Sequence, residues 1–168
     1  AAVSSDIYGA TLIILYTMST LYHALVNEKA KAVFRVFDHV TIYLLIAGTY
    51  TPYTLACLGG ALGWTLLGIV WAAAIVGIVF SSISLRRFQK LSMICYIAMG
   101  WVILIAIKPL WQVIGTLPMV FLVIGGVLYT GGVLFYQMKE SRYMHSIWHL
   151  FVIAGSIFQY FSILLALT

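Results

Sequence analysis

Four histidines and four acidic residues are all that 168 residues supply for acid–base or metal chemistry, so their positions matter. His145 and His149 stand four apart, which puts both on one face of a helix with Cβ atoms about 6 Å apart. That is the ligand spacing of H-E-x-x-H zinc helices, here with Ser146, Ile147 and Trp148 between the histidines and no glutamate to serve as base. Ser19 and His23 repeat the spacing, which lets the hydroxyl approach the imidazole or its surroundings. Asp38 and His39 lie further on. Three imidazoles from two helices leave a fourth position for water, as in a catalytic rather than a closed structural zinc site. Zinc lowers the pKa of such a water to about 7, and Asp38 is the carboxylate able to take its proton. The expected site is therefore zinc on His23, His145 and His149, with Asp38 and Ser19 as catalytic groups.

Each piece also has a structural reading. A lone His23 near a helix end is commonly interfacial, and H-x3-H alone is a weak motif. Asp38 can pair with Arg35 three residues back, or favour its helix N-terminus. Serines in membrane helices commonly bond back to their own backbone, as Ser19 could. His39 points about 100° away from Asp38 on a helix and reads as supporting or structural. Taken together the set is stronger, because an ionisable residue within a membrane span costs at least about 2.5 kcal/mol and is functional by default.

The elements that must position these residues follow from composition. The chain is 64% hydrophobic and only 8% charged, with a mean hydropathy of +1.09. Soluble proteins carry roughly 25% charged residues, so lipid is the solvent this chain fits. A bilayer core of about 30 Å takes about 20 residues of helix, and six such stretches are legible, near 7–26, 32–51, 61–83, 91–107, 117–138 and 144–166. Pro52 and Pro109 are expected to stop the second and fourth. The expected fold is thus an all-α integral membrane protein, a single transmembrane helical domain over 1–168. Alternating ten-residue segments are absent, and open strand edges cannot sit in lipid.

The net charge of +5 is not a nucleic-acid signal, because no basic face tracks phosphates. Lys29, Lys31 and Arg35 flank the first connection, Arg86, Arg87 and Lys90 the third, and Lys139 and Arg142 the fifth. The second has none, and the fourth only Lys108. This alternation places connections one, three and five in the cytoplasm. His23, Asp38, His145 and His149 then fall at similar depth, although more than a hundred residues separate the first from the last. Cys57 and Cys95 form no CxxC pair and carry no redox signal. Ala73-xxx-Gly77 and Gly126-xxx-Thr130 read as helix packing. Tyr22, Tyr50, Tyr53, Tyr143, Trp64 and Trp111 read as interfacial anchors. The start, Ala1-Ala2-Val3, has no initiator Met, and an upstream segment is expected.

Ser19-Thr-Leu-Tyr-His23, Phe37-Asp38-His39, Ile46-Ala47-Gly48-Thr49-Tyr50-Thr51-Pro52 and His145-Ser-Ile-Trp-His149 together resemble the hemolysin III branch of the progestin and adipoQ receptor family, to which the adiponectin receptors belong. The resemblance covers essentially the whole chain. It implies a seven-helix bundle with a cytoplasmic N-terminus, of which this chain holds the last six helices. It also implies zinc at His23, His145 and His149, supported by Asp38 and Ser19. Site chemistry similar to membrane ceramidases makes a metal-dependent hydrolase of lipid amides or esters the leading expectation, with membrane lipid as the partner and a bacterial plasma (inner) membrane as the location. Two alternatives stand beside it: a channel-forming cytolysin, and a receptor or sensor with structural zinc. The composition forbids the soluble form a self-assembling toxin usually needs.

Overall fold

The computed structural model describes residues 2–137 and 143–168, the side chain of His145 excepted. Every regular element among them is helical: α1 Ala2–Ala24, α2 Glu28–Pro52, a π-helical stretch Tyr53–Leu58, α3 Gly60–Ile83, α4 Leu85–Trp101, a 3₁₀ stretch Val102–Ala106, α5 Ile107–Ile114, α6 Thr116–Gln137 and α7 Met144–Leu167. Five helical runs are long and apolar enough to cross a bilayer: Glu28–Leu58, Gly60–Ile83, Leu85–Ile114, Thr116–Gln137 and Ser146–Leu167. The protein is an integral membrane protein built of transmembrane helices. Helix α1, with 23 residues, is long enough but more polar, carrying Ser4, Ser5, Asp6, Thr11, Thr17, Ser19, Thr20 and His23. The chain falls into two compact units, 1–102 and 103–168.

Both prolines expected to end helices lie inside them. A proline removes one N–H and crowds the carbonyl four residues back, which loosens a helix without ending it when local 3₁₀ or π turns and neighbouring groups take up the freed carbonyls. Pro52 is followed by the π turns of Tyr53–Leu58, and the real stop is Gly59–Gly60, where φ is +58° and +54°. Pro109 is preceded by the 3₁₀ residues Val102–Ala106 and sits within α5, which ends at Gly115 with φ +78°. Helix α2 also begins four residues before its expected start. The Asn27 side chain accepts from the amides of Lys29 (3.0 Å) and Ala30 (3.1 Å), capping a turn whose charges resembled a loop.

In the first unit, α2 packs against α1, α3 and α4 through the segment Gly48–Thr54. Gly48 lies against Thr11 of α1, where any Cβ would collide with the threonine side chain. The Tyr50 hydroxyl reaches the Met99 carbonyl (2.7 Å) and the Gly100 carbonyl (3.0 Å) of α4, where that helix tightens into its 3₁₀ stretch. Trp71 of α3 donates its indole N–H to Thr51 Oγ1 at 3.2 Å. Tyr50 and Tyr53 are therefore buried core residues and not interfacial anchors, whereas Trp64, Trp111 and Tyr143 are exposed as expected. Gly77 receives the Tyr43 ring, which also meets the Tyr96 ring at 4.5 Å. Ser81 of α3 and Ser92 of α4 bond to each other at 3.0 Å in the same core.

The second unit is organised by α6 against α7. Gly125 faces Gln159, Gly132 faces Phe151 and Trp148, and Gly155 faces Tyr129. Hydrogen bonds cross the same seam: Ser162 donates to the Pro118 carbonyl at 2.6 Å, Gln159 Nε2 to the Leu122 carbonyl at 3.1 Å, and Tyr129 and Ser156 share a hydroxyl bond of 2.8 Å. Close approach over small residues, with side chains bonded to the opposing backbone, is how helices associate when lipid supplies no hydrophobic drive. Of the two expected small-residue contacts, Gly77 does serve packing. Thr130 also bonds back to the Gly126 carbonyl within its own helix, at 2.9 Å.

Replacing Gly77 by alanine should cost about 1–3 kcal/mol, because the Tyr43 ring is buried and cannot swing away. Tyr50→Phe should cost about 0.5–1.5 kcal/mol through the unmet carbonyls. Reversible denaturation in detergent checks both. Wild-type stability for Gly77→Ala is the result that contradicts the packing.

Candidate functional site

Helix α1 delivers Ser19 and His23 near its C-terminal end, and α2 delivers Asp38 and His39 in its third and fourth turns. The two helices run antiparallel, and the Gly48–Thr11 contact sets their register. Ten residues back along α2 from Gly48 is Asp38, and ten residues on from Thr11 along α1 is Leu21. At 1.5 Å per residue each step covers about 15 Å. Asp38 therefore lies level with the stretch between Ser19 and His23, within about one helical turn of both.

Their surroundings differ. Asp38 is 3% exposed. Its carbonyl accepts the Thr41 hydroxyl at 3.0 Å, but no hydrogen bond or ion pair reaches its carboxylate among the described residues. The expected alternative of an Asp38–Arg35 pair is thus not formed there, and Arg35 is exposed. Ser19 is half-buried, and its hydroxyl likewise makes no hydrogen bond among the described residues. The contrast with nearby hydroxyls is informative. Thr11, Thr20, Thr41, Thr49, Thr51 and Thr54 all bond back to carbonyls three or four residues earlier.

His23 is exposed, with its ring 4.7 Å from that of Tyr22. His39 is half-buried and its Nδ1 lies 2.9 Å from the Arg35 carbonyl, while its own carbonyl accepts the Tyr96 hydroxyl at 2.8 Å. It supports the α2–α4 contact, in keeping with a structural role. His145 and His149 open α7, as the spacing requires. His149 is half-buried with its ring 4.5 Å from Trp148, and the His145 side chain lies outside the described residues. Among the described residues no three His, Cys, Asp or Glu side chains form a group able to hold a metal. The structure brings Ser19, His23 and Asp38 to one level in the first unit and holds His145 and His149 one turn apart in the second.

Sequence reasoning missed the buried Gln159, whose Oε1 has no partner among the described residues. A glutamine among apolar residues in a span was the available signal.

The chain belongs to the haemolysin-III-related family, whose sequence model matches residues 1–160. It is 46% identical to "Hemolysin-3" of Bacillus cereus over 164 residues, covering 98% of this chain and 75% of that one. It is 44% identical to a "Hemolysin-3 homolog" of Bacillus subtilis (strain 168), covering 96% of this chain and 76% of the relative. The human "Monocyte to macrophage differentiation factor" is 25% identical over 167 residues, covering 96% and 69%, and extends the similarity to the wider progestin and adipoQ receptor family. No solved structure matches the chain.

A buried carboxylate without a partner destabilises the fold that holds it. Asp38→Asn should therefore match or exceed wild-type thermal stability in detergent, and Ser19→Ala should leave it unchanged. A loss of several degrees in either variant would reveal a structural role for that residue.

Proposed function

We propose that this protein is a zinc-dependent membrane hydrolase of lipid amides or esters, with zinc held by His23, His145 and His149. It works at the cytoplasmic face of a bacterial plasma membrane. In this reading all six long helices cross the bilayer, as the last six of a seven-helix bundle with a cytoplasmic N-terminus. The observation that carries it is the buried Asp38, whose carboxyl group takes no hydrogen bond from the described residues, on a helix whose register with α1 puts it within about one turn of Ser19 and His23. The donor set fits the metal, since neutral imidazoles suit zinc and three of them leave a position open.

Zinc, when bound, supplies Lewis-acid polarisation of a carbonyl and a water acidified to near neutrality. The chain's own residues do the rest. Asp38 accepts the proton released when water attacks the lipid carbonyl and returns it to the departing amine or alcohol. Its burial keeps that exchange away from bulk solvent. Ser19 donates its hydroxyl to the developing oxyanion or holds the attacking water in line. His39, tied to the Arg35 carbonyl, steadies the turn of α2 that carries Asp38. The name of the Bacillus cereus relative, "Hemolysin-3", favours a second reading as a channel-forming cytolysin.

Metal analysis of the purified protein should find about one zinc per chain in wild type and none in His145→Ala. With a ceramide-like lipid, Asp38→Ala should retain zinc while turnover falls on the order of 10²–10⁴-fold. Zinc retention without turnover in the wild type would favour a structural metal in a receptor or sensor. Vesicle leakage that persists in His23→Ala after zinc is lost would favour the cytolysin.

A further inference from the structure

The basic residues of the first unit form a collar at one end of it. Helices α2 and α4 run parallel: Tyr43 meets Tyr96, His39 meets Tyr96, and Tyr50 meets Met99 and Gly100, both sequences ascending together. Eight residues back from Tyr43 is Arg35, about 12 Å along the helix. Nine back from Tyr96 is Arg87, about 13.5 Å, and six back is Lys90, about 9 Å. Arg35 of α2 thus stands level with Arg87 and Lys90 of α4 to within about 3 Å, with Arg86 next and Lys31 and Lys29 up to about a turn further out. The collar lies about one turn outside Asp38, which follows Arg35 by three residues.

Against these six cations the same helix ends offer Glu28 in the first turn of α2 and Asp38 three residues after Arg35. None of the six forms an ion pair among the described residues. Five are exposed and Lys31 is half-buried. Lys31 rests its ammonium over the Tyr22 ring at 6.0 Å, and Arg87 its guanidinium over Phe88 at 5.7 Å. They also occupy the opening turns of two helices, where the macrodipole disfavours positive charge. The bias of basic residues to one membrane side explains the sign of these charges. It does not require them to be aligned on neighbouring helices, nor seated just outside a buried aspartate.

We propose that this collar binds the phosphate-bearing headgroups of anionic phospholipids. The partner follows from charge complementarity and location: a band of cations at the end of a membrane-spanning unit meets the headgroup layer, where each nearby Lys or Arg adds roughly fivefold to anionic-lipid affinity. Lys31, on one face of α2 with Arg35 four residues on, reaches Tyr22 of α1, and Arg87 and Lys90 complete the band from α4. The inference stands independently of any metal. If the hydrolase reading also holds, the collar gathers anionic lipid beside the residues that act on it.

The test uses the purified full chain in neutral detergent, titrated with phosphatidylglycerol or phosphatidylcholine and read as lipid retained per protein by native mass spectrometry. Wild type should retain phosphatidylglycerol over phosphatidylcholine. Lys31→Gln/Arg35→Gln and, separately, Arg86→Gln/Arg87→Gln should each weaken that preference on the order of tenfold or more, with unchanged circular dichroism. Lys108→Gln, which removes a cation outside the collar, should not. Equal retention of the two lipids overturns the proposal. So does a preference unchanged in both double variants, an equal loss in Lys108→Gln, or displacement of the lipid by millimolar inorganic phosphate, which would make the site one for free anions.

Discussion

In hydrocarbon a polar group has no water to fall back on, and much of this structure answers that constraint. Threonine hydroxyls turn back onto their own helices. The tyrosine and tryptophan donors of the first unit find a carbonyl or hydroxyl on the neighbouring helix. In the second unit the side chains of Gln159 and Ser162 reach carbonyls of α6. Against such thorough pairing, the polar groups left over stand out. Asp38 sits in a nearly closed setting, and no hydrogen bond from the described residues reaches its carboxyl group. Natural proteins keep such arrangements where activity depends on them.

The spans were legible because bilayer thickness dictates helix length, and the ends of α3, α6 and α7 fall within about a residue of expectation. The errors share a cause. Pro52 and Pro109 were read by rules that hold in water, where a broken helix exposes its backbone to solvent. Inside a membrane the helix continues, because ending it would strand more carbonyls than a local π or 3₁₀ turn does. Asn27 was overlooked because Lys29 and Lys31 dominate its neighbourhood, although an asparagine before a helix is a cap by chemistry alone. What sequence could not supply was the α1–α2 register, which rests on one glycine accepting one threonine.

The Gly48–Pro52 stretch of the resemblance motif has a structural explanation that leaves the site chemistry to other residues. Gly48 admits α1, Thr51 receives α3, and Tyr50 holds α4 at the point where its backbone bonding changes. Each contact fixes a different helix relative to α2, and α2 carries Asp38. The aspartate's position is thus set by contacts about 15 Å further along its own helix. Tyr96 of α4 adds a nearer one, bonding the backbone of His39 beside the carboxylate.

The π turns after Pro52 have a separate consequence. A π turn takes one residue more than an α turn, so the side-chain stripe beyond Leu58 is out of phase with the stripe before Tyr53 by about 100°. Deleting any one residue of Tyr53–Leu58 would restore an ordinary helix and rotate its outer end by that angle. A one-residue deletion there would therefore turn the helix tip, with Cys57 and the Gly59–Gly60 corner swung to a new bearing.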